Sequence, residues 1–347
     1  MHRRKIALTA CLVLLVLFIS SAALAQYQLI NLSSNQVGKA RHADALLANA
    51  WGLAYGPGGP IWISDQASGW STIYDGSGVA QGLKVEIPTA SGGGVGSPTG
   101  IVHNGSQEFP VKGWASIFLF ATLDGTISGW TFQSDLNNAI IAVDNSKSGA
   151  AYTGLAISSK ASGNLLYAAD SAHNKVDVYD GTFTPAKLAA SAFTDPMLPA
   201  GFTVFGIQDI DGQVYVTFAD SKGGPGGFID VFTEDGVLVP PAPRIHGAPL
   251  NQPWGMAAAP RNFGPLSNTL LVSNNVNNRG SINAFNPFNG QFVGTVKDAA
   301  GKPIHIDQLW GIAFGGGTAN DGATNQLFFT AGPGNNVAGT FGVITVK

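Results

Sequence analysis

A four-residue motif centred on glycine recurs six times along this chain, and it restricts the fold more than any other feature. Each copy has an aromatic residue or threonine before the glycine and an apolar residue after it. The glycines follow one another at intervals of 48, 54, 52, 49 and 56 residues, the length of one four-stranded propeller blade with its loops. The copies are Trp51-Gly52-Leu53-Ala54, Thr99-Gly100-Ile101-Val102, Thr153-Gly154-Leu155-Ala156, Phe205-Gly206-Ile207-Gln208, Trp254-Gly255-Met256-Ala257 and Trp310-Gly311-Ile312-Ala313.

Each of these anchor glycines is followed by two further apolar stretches, with Asp-Gly turns such as Asp124-Gly125 and Asp211-Gly212 between stretches. Asp-Gly between alternating apolar residues indicates a β-hairpin. The chain has 46 glycines, about twice the usual share, with 45% hydrophobic and only 11% charged residues. We therefore predict an all-β, six-bladed β-propeller.

The last repeat ends at Lys347 after its third strand, so its fourth strand must come from elsewhere. Residues 27–32 alternate apolar and polar side chains and can supply it. Unpaired strand edges are a liability that proteins avoid. We predict that this N-terminal strand pairs with the last blade and closes the ring.

The first 25 residues have the pattern of a signal peptide. Arg3, Arg4 and Lys5 precede an apolar run, and residues 23–25 form a small-x-small cleavage site. Cleavage after Ala25 would make residues 26–347 a single propeller domain, secreted or periplasmic, with no remaining membrane span. Two alternatives are a lipobox ending at Cys11 and export through the twin-arginine pair.

The mature chain would contain no cysteine, because Cys11 is the single one in the sequence. Disulfides, a thiol nucleophile and Cys-ligated metals are thereby excluded. Losing Arg3, Arg4 and Lys5 would leave 15 basic against 21 acidic residues, a net charge of −6. Nucleic-acid binding requires a clustered basic face, which the sequence does not offer, and we expect a monomer.

Residues 153–156, 166–171 and 174–179 together resemble an NHL repeat. More broadly, segments 44–53, 97–102, 122–130, 193–202, 251–257 and 307–314 resemble an uncharacterised family of exported bacterial six-bladed propellers. The resemblance implies the NHL-like propeller fold and export, and it brings no activity. Some members of that family carry a C-terminal sorting tail, whereas this sequence ends at Val346-Lys347, which implies release from the membrane.

The residues near the start of each innermost strand are candidates for a ligand site at the channel mouth. Aromatic residues there can stack on a flat ligand or pack one blade against the next. Polar residues three positions before the anchor glycines, with their neighbours, offer oxygens to a hard cation such as Ca²⁺ or to ordered water. The candidates are Trp51, Phe205, Trp254, Trp310, Asn49, Asn251, Gln252, Asp307 and Gln308.

His103 and Asp209 both lie three residues after an anchor glycine, where the other blades have apolar or aromatic residues. They are the candidates for an acid/base pair, although blades two and four lie apart in a ring. Polar residues that end the second strands, or lie just beyond them, form a separate set that either binds a cation or accepts hydrogen bonds from turn backbone. This set is Asp65, Asp124, Asp170, Asp220 and Asn274.

The sequence contains no nucleophile elbow, HExxH, P-loop or dinucleotide fingerprint. We therefore expect a non-catalytic exported propeller that binds a ligand or an envelope or extracellular protein. The alternative is an enzyme similar to the metal-dependent propeller lactonases and esterases, which bind Ca²⁺ or a similar ion in the channel. The Pro-Asn-Gly step of those enzymes appears here as Pro98-Thr99-Gly100, which removes one ligand. A third interpretation is a structural protein of the cell envelope.

Overall fold

Six antiparallel sheets surround a central channel in the computed structural model, which describes residues 26–92, 95–160, 163–239 and 245–347. The predicted signal peptide, including Cys11, lies outside the described residues. Each sheet is one blade, and its innermost strand contains an anchor glycine. The first three blades comprise Ala50–Ala54, Ile61–Asp65, Trp70–Tyr74 and Val85–Glu86; Pro98–His103, Phe118–Thr122, Thr126–Trp130 and Ile140–Asp144; and Tyr152–Ile157, Leu165–Asp170 and Lys175–Asp180.

The other three blades follow the same order from the channel outwards. Their strands are Phe202–Ile210, Gln213–Asp220, Phe228–Thr233 and Ile245–His246; Pro253–Ala258, Leu270–Asn274, Ser281–Phe285 and Phe292–Thr295; and Leu309–Phe314, Leu327–Ala331, Thr340–Val346 and Tyr27–Ser34. A short strand, His42–Ala43, extends blade 6 in parallel, and a hairpin of Pro110–Val111 with Trp114–Ala115 lies beside blade 2. Helix is limited to single turns at Ser146–Ser148, Gly264–Leu266 and Pro333–Asn336 in the described residues, none of which could span a membrane.

The predicted ring closure is confirmed. Tyr27–Ser34 pairs antiparallel with Thr340–Val346, from Tyr27 opposite Val346 to Ser34 opposite Thr340. The Tyr27 hydroxyl donates to the carbonyl of Phe263 at 2.7 Å, so the first strand is also fixed to blade 5. The two ends of the propeller therefore lie in one sheet, and blade 6 has its full set of strands.

Apolar clusters fill the spaces between neighbouring blades. Trp62 of blade 1 stacks on Phe118 of blade 2, with ring centroids 4.3 Å apart. Phe328 and Phe341 of blade 6 belong to the same buried cluster as Tyr74 of blade 1. These side chains come from strand positions that face a neighbouring sheet, which is how face-to-face sheets build a core.

The anchor glycines mark the points where innermost strands come closest. A Cβ added at Gly255 would lie 2.7 Å from the carbonyl oxygen of Trp310 in blade 6, and one at Gly311 would lie 2.9 Å from that of Trp51 in blade 1. In every blade the pairing of the innermost and second strands shifts register around the motif. A residue without a Cβ is needed because a neighbouring backbone occupies the space of the side chain.

Hydroxyl groups link consecutive innermost strands at the same level. The Ser273 hydroxyl accepts from the Gly255 N–H at 2.8 Å and donates to the Trp310 carbonyl of the next blade at 2.6 Å. Thr330 makes the same two contacts, with Gly311 and Trp51. Where threonine replaces the aromatic residue of the motif, its own hydroxyl bonds to the next blade. Thr99 donates to Tyr152 O and Thr153 donates to Phe205 O, each at 2.7 Å.

The close approach predicts the effect of substituting an anchor glycine. Gly255→Ala should lower the free energy of unfolding by about 1–3 kcal/mol, the usual penalty for inserting a methyl group into a packed site. The matched control is Gly82→Ala, because Gly82 has no atom within 4 Å of its added Cβ, and its effect should stay within about 0.5 kcal/mol. Chemical denaturation followed by circular dichroism measures both variants. Equal stability of the two would contradict the close-approach explanation.

Candidate functional site

The aromatic residues before the anchor glycines meet inside the channel. Trp51 and Trp310 stack with ring centroids 3.6 Å apart and an interplanar angle of 17°. Trp254 lies edge-on to both, at 6.2 and 6.0 Å, and Phe205 lies 5.8 Å from Trp310. These four side chains, here called the aromatic plug, fill the channel near the end where the innermost strands begin, which we name the N-terminal mouth.

Hydrogen bonds fix two of the three indole rings of the plug. Trp254 Nε1 donates to the carbonyl of Thr153 at 2.8 Å, and Trp310 Nε1 donates to Asn49 Oδ1 at 2.9 Å. Trp51 is only 6% exposed, and its Nε1 is buried without a hydrogen-bond partner among the described residues. The rings thus contact one another and the blades, so packing accounts for most of their surface.

Most of the predicted polar candidates at the N-terminal mouth are used to hold loops. Asn49 donates to Gln66 Oε1 at 2.7 Å, Gln252 donates to the carbonyls of Asp220 and Gly224, and Gln308 Oε1 accepts from Asn336 N at 2.8 Å. Asn49, Gln252 and Gln308 also share a left-handed backbone, with φ of 46°, 52° and 48°. They begin their innermost strands in the same turn conformation, which explains their recurrence.

The remaining two candidates lie beside these residues. Asp307 accepts from the backbone N–H groups of Asn278 at 2.5 Å and Gly334 at 2.9 Å, and the Asn251 N–H donates to Asn274 Oδ1. In the described part of the chain, no three His, Cys, Asp or Glu side chains converge on a point that would hold a metal ion. The side-chain oxygens of Asn49, Asp307 and Gln308 therefore accept hydrogen bonds within the protein.

The polar residues at or near the ends of the second strands accept hydrogen bonds from turns and loops. Asp65 Oδ2 accepts from the N–H and hydroxyl of Thr72, Asp124 Oδ2 from Ala90 N, and Asp170 Oδ1 from Ala151 N. Asp170 Oδ2 also lies 2.7 Å from Nδ1 of His173. Of the two interpretations offered by the sequence, these contacts match the structural one.

The opposite end of the channel, the C-terminal mouth, contains a cavity of about 320 Å³. Its walls come from the ends of the innermost strands of blades 1, 4, 5 and 6. The polar residues are Gln208, Asp209, Asp211 and Tyr55, while Leu53 and Ile312 provide apolar surface. We name this space the mouth cavity. Its size and mixed lining are those of a small-molecule site.

Asp209 is the most perturbed acid of the mouth cavity. It is half-buried, its Oδ1 accepts from Gly212 N at 3.2 Å, and its Oδ2 is buried without a partner in the described residues. Burial raises the pKa of the Asp209 carboxyl to about 6, with the Glu234 and Asp211 carboxylates adding to the increase and the Gly212 N–H opposing it. A carboxyl with this pKa changes its protonation state near pH 6, and its ionised form can accept hydrogen bonds.

His103 is not joined to Asp209 by a hydrogen bond or ion pair in the described ranges. Its ring lies edge-on to Phe118 at 5.4 Å and against Gly56 of blade 1, where an added Cβ would lie 2.5 Å from Nε2. Burial lowers the pKa of His103. The histidine thus fills the gap between blades 1 and 2, and the two candidates do not form the predicted pair.

Sequence reasoning missed Tyr55 and Gln208. The Tyr55 hydroxyl donates to the carbonyl of Phe314 at 2.6 Å and joins blade 1 to blade 6 at the rim of the mouth cavity. Both residues lie within three positions of an anchor glycine on the C-terminal side. A position within three residues after an anchor glycine was the sequence signal that could have identified them, and it did identify Asp209.

The raised pKa of Asp209 predicts how its removal changes stability with pH. Because the folded-state pKa lies above the unfolded value of about 3.9, the native state binds the proton more tightly and loses stability as pH rises from about 4 to 7. Asp209→Asn should therefore raise Tm at pH 8, and the gain should vanish near pH 4. Asp180→Asn is the control, since hydrogen bonding to Thr182 lowers the pKa of Asp180, and it should give no gain at pH 8. A pH-independent gain for Asp209→Asn would contradict the assignment.

Comparison with known proteins found relatives without an assigned activity. Uncharacterized protein R640 of Acanthamoeba polyphaga mimivirus is 32% identical over 269 residues, which cover 73% of this chain and 48% of the relative, so the chain spans about half of its length. Uncharacterized protein R648 of the same virus is 28% identical over 343 residues, covering 93% of this chain and 81% of the relative. These relatives are viral, whereas the sequence resemblance pointed to bacterial proteins. No protein-family model matches the chain.

Solved structures of similar shape are propeller proteins of low sequence identity. A streptogramin B lyase superposes with a TM-score of 0.54 at 11% identity, over 93% of this chain and 98% of the other. A gluconolactonase from Xanthomonas campestris gives 0.53 at 14% identity, over 87% and 89% of the two chains. A virginiamycin B lyase from Staphylococcus aureus gives 0.53 at 14% identity, over 93% and 100%. At these identities the likeness establishes the six-bladed β-propeller fold alone.

Proposed function

We propose that this chain is an exported, non-catalytic propeller that binds a small polar ligand in the mouth cavity. The observation that carries the proposal is the half-buried Asp209 in the lining of a cavity of about 320 Å³, where its Oδ2 is buried without a hydrogen-bond partner among the described residues. Buried polar atoms usually have a hydrogen-bond partner. A hydroxyl or N–H group of a ligand would supply it once the Asp209 side chain turns Oδ2 towards the cavity.

The two ends of the channel differ in how much side-chain surface they leave free to contact a ligand. At the N-terminal mouth Trp51 and Trp310 of the aromatic plug are 6% and 3% exposed, and Phe205 and Trp254 are half-buried. At the C-terminal mouth Gln208 is exposed, and no described residue forms a hydrogen bond with its side chain. The C-terminal mouth therefore leaves more polar side-chain surface for a ligand.

The charge of the cavity restricts the ligand. The twelve residues lining it include Asp209 and Asp211 but neither lysine nor arginine. An anion would have to approach these carboxylates without a compensating cation. We propose a ligand that is neutral or positively charged and carries hydrogen-bond donors.

A thermal-shift screen tests the proposal. The purified protein is heated with sugars, sugar lactones, amines and organic acids, and a ligand of the mouth cavity raises Tm because it binds the native state. The increase should disappear in Gln208→Ala and in Asp209→Asn measured at pH 8. It should persist in Gln291→Ala, whose glutamine is also exposed but lies in a blade 5 loop. Hits confined to organic acids, or hits that survive both cavity variants, would contradict the proposal.

The second candidate is a metal-dependent propeller hydrolase, and the pKa of Asp209 near 6 is the observation that favours it, because a general base operates best near its own pKa. With Asp209 as the base, Asp211 and nearby amide oxygens would be the ligands available to Ca²⁺. Hydrolysis of gluconolactone that depends on added Ca²⁺ and on Asp209 would favour this candidate over the binding protein.

We propose export on the sequence of residues 1–25, which would make the protein secreted or periplasmic. We also expect it to be a monomer. When the full chain is produced in a bacterial host, the exported form should begin at Gln26, as determined by mass spectrometry of the intact protein. An Ala23→Asp, Ala25→Asp double variant should remain in the host as the uncleaved precursor, which would agree with cleavage after Ala25. A wild-type product that begins at a lipid-modified Cys11, or that retains Met1, would contradict it.

A further inference from the structure

A second cavity adjoins the mouth cavity on the same face of the propeller. It has a volume of about 410 Å³ and lies between blades 4 and 5. Ile210, Asp211 and Ala258 line both cavities. The two spaces thus adjoin at these residues, and their combined lining extends from the channel outwards along the boundary between the two blades.

Aromatic rings lie along this path. Tyr55 and Phe314 are at the channel end, Tyr215 lines the outer cavity, and Phe288 is at its far end. Tyr215 is largely buried, whereas Phe288 is 87% exposed. Rings spaced along a groove offer flat apolar surfaces to successive units of a linear ligand.

The polar groups between the rings are amides and carboxylates. Gln208, Gln213 and Asn268 can donate and accept, and Asp209 and Asp211 accept. Neither cavity has lysine or arginine among its lining residues, all of which are described. This combination suits a ligand with many hydroxyl groups, apolar C–H faces and no negative charge.

We infer that the two cavities form one groove for a neutral oligosaccharide, with a sugar unit in the mouth cavity and another stacked on Phe288. The inference rests on the proposed binding function of the mouth cavity and adds the chemical class and the length of the ligand. A single sugar would occupy the mouth cavity, and only a longer chain would reach Phe288.

Phe288 is positioned by a turn. Asn286 Oδ1 accepts from the N–H groups of Phe288 at 2.8 Å and Asn289 at 3.2 Å, and Gly290 N donates to Asn286 O at 2.9 Å. These bonds fix the backbone beneath an apolar ring that packs on little of the protein. Since the ring contributes little to the core, its removal should leave Tm unchanged.

Titration calorimetry with cellotetraose, laminaritetraose and chitotetraose, and with the matching disaccharides, tests the inference. At least one tetrasaccharide should bind more tightly than its disaccharide. Phe288→Ala should weaken that tetrasaccharide by about 2- to 12-fold, the factor for an aromatic contact of about 0.5–1.5 kcal/mol, and leave the disaccharide unchanged. Phe292→Ala is the control, because Phe292 is 50% exposed on the same blade but lines neither cavity.

Three results would overturn the inference. No binding of any of these tetrasaccharides would exclude the ligand class, and equal binding to Phe288→Ala and the wild type would exclude the outer half of the groove. A glycan array on which sialylated or sulfated glycans bind more strongly than neutral ones would contradict the argument that the groove disfavours negative charge. The first two results leave the proposed function intact if the thermal-shift screen has found a ligand that depends on Gln208, whereas the third also contradicts its charge argument, so the two failures are distinguishable.

Discussion

The close approach of neighbouring innermost strands at the anchor glycines is the constraint on which the rest of this propeller depends. At that level a backbone carbonyl of the next blade lies where a side chain would be, as the 2.7 Å separation at Gly255 illustrates. The hydroxyls of Ser273 and Thr330 then bridge the glycine N–H of one blade and the carbonyl of the next. At each of the six anchor glycines the backbone of the next blade makes a close contact, and these contacts bring the strands around in a circle. The N-terminal strand completes the last blade.

The same constraint makes the channel asymmetric. The residues before the glycines are forced inward at one level, where Trp51, Trp254, Trp310 and Phe205 meet and fill the space. Beyond the glycines only Tyr55 and Phe314 contribute rings to the channel end, and the mouth cavity remains between blades 1, 4, 5 and 6. The proposed site therefore lies at the C-terminal mouth as a consequence of how the N-terminal mouth is closed.

Much of the fold was predictable because it repeats. Six glycines at nearly equal spacing predicted six blades, and the incomplete last repeat predicted the pairing of residues 27–32, which extends to Tyr27–Ser34 in the structure. The candidate site was less predictable because it depends on what differs between repeats. Asp209 stood out against the apolar and aromatic residues of other blades, but no described hydrogen bond or ion pair joins it to His103, whose ring lies against Phe118. Phe288 lies in a loop outside the repeat pattern, and only the three-dimensional arrangement brings it beside Tyr215.

The location of a bound ligand tests the central claim most directly. A crystal structure of the protein with the strongest ligand from the thermal-shift screen would show it. The account predicts electron density in the mouth cavity, within hydrogen-bonding distance of Gln208 and the Asp209 carboxylate, with the aromatic plug unchanged. Density at the N-terminal mouth, against Trp254 or in place of the stacked Trp51 and Trp310 rings, would contradict it.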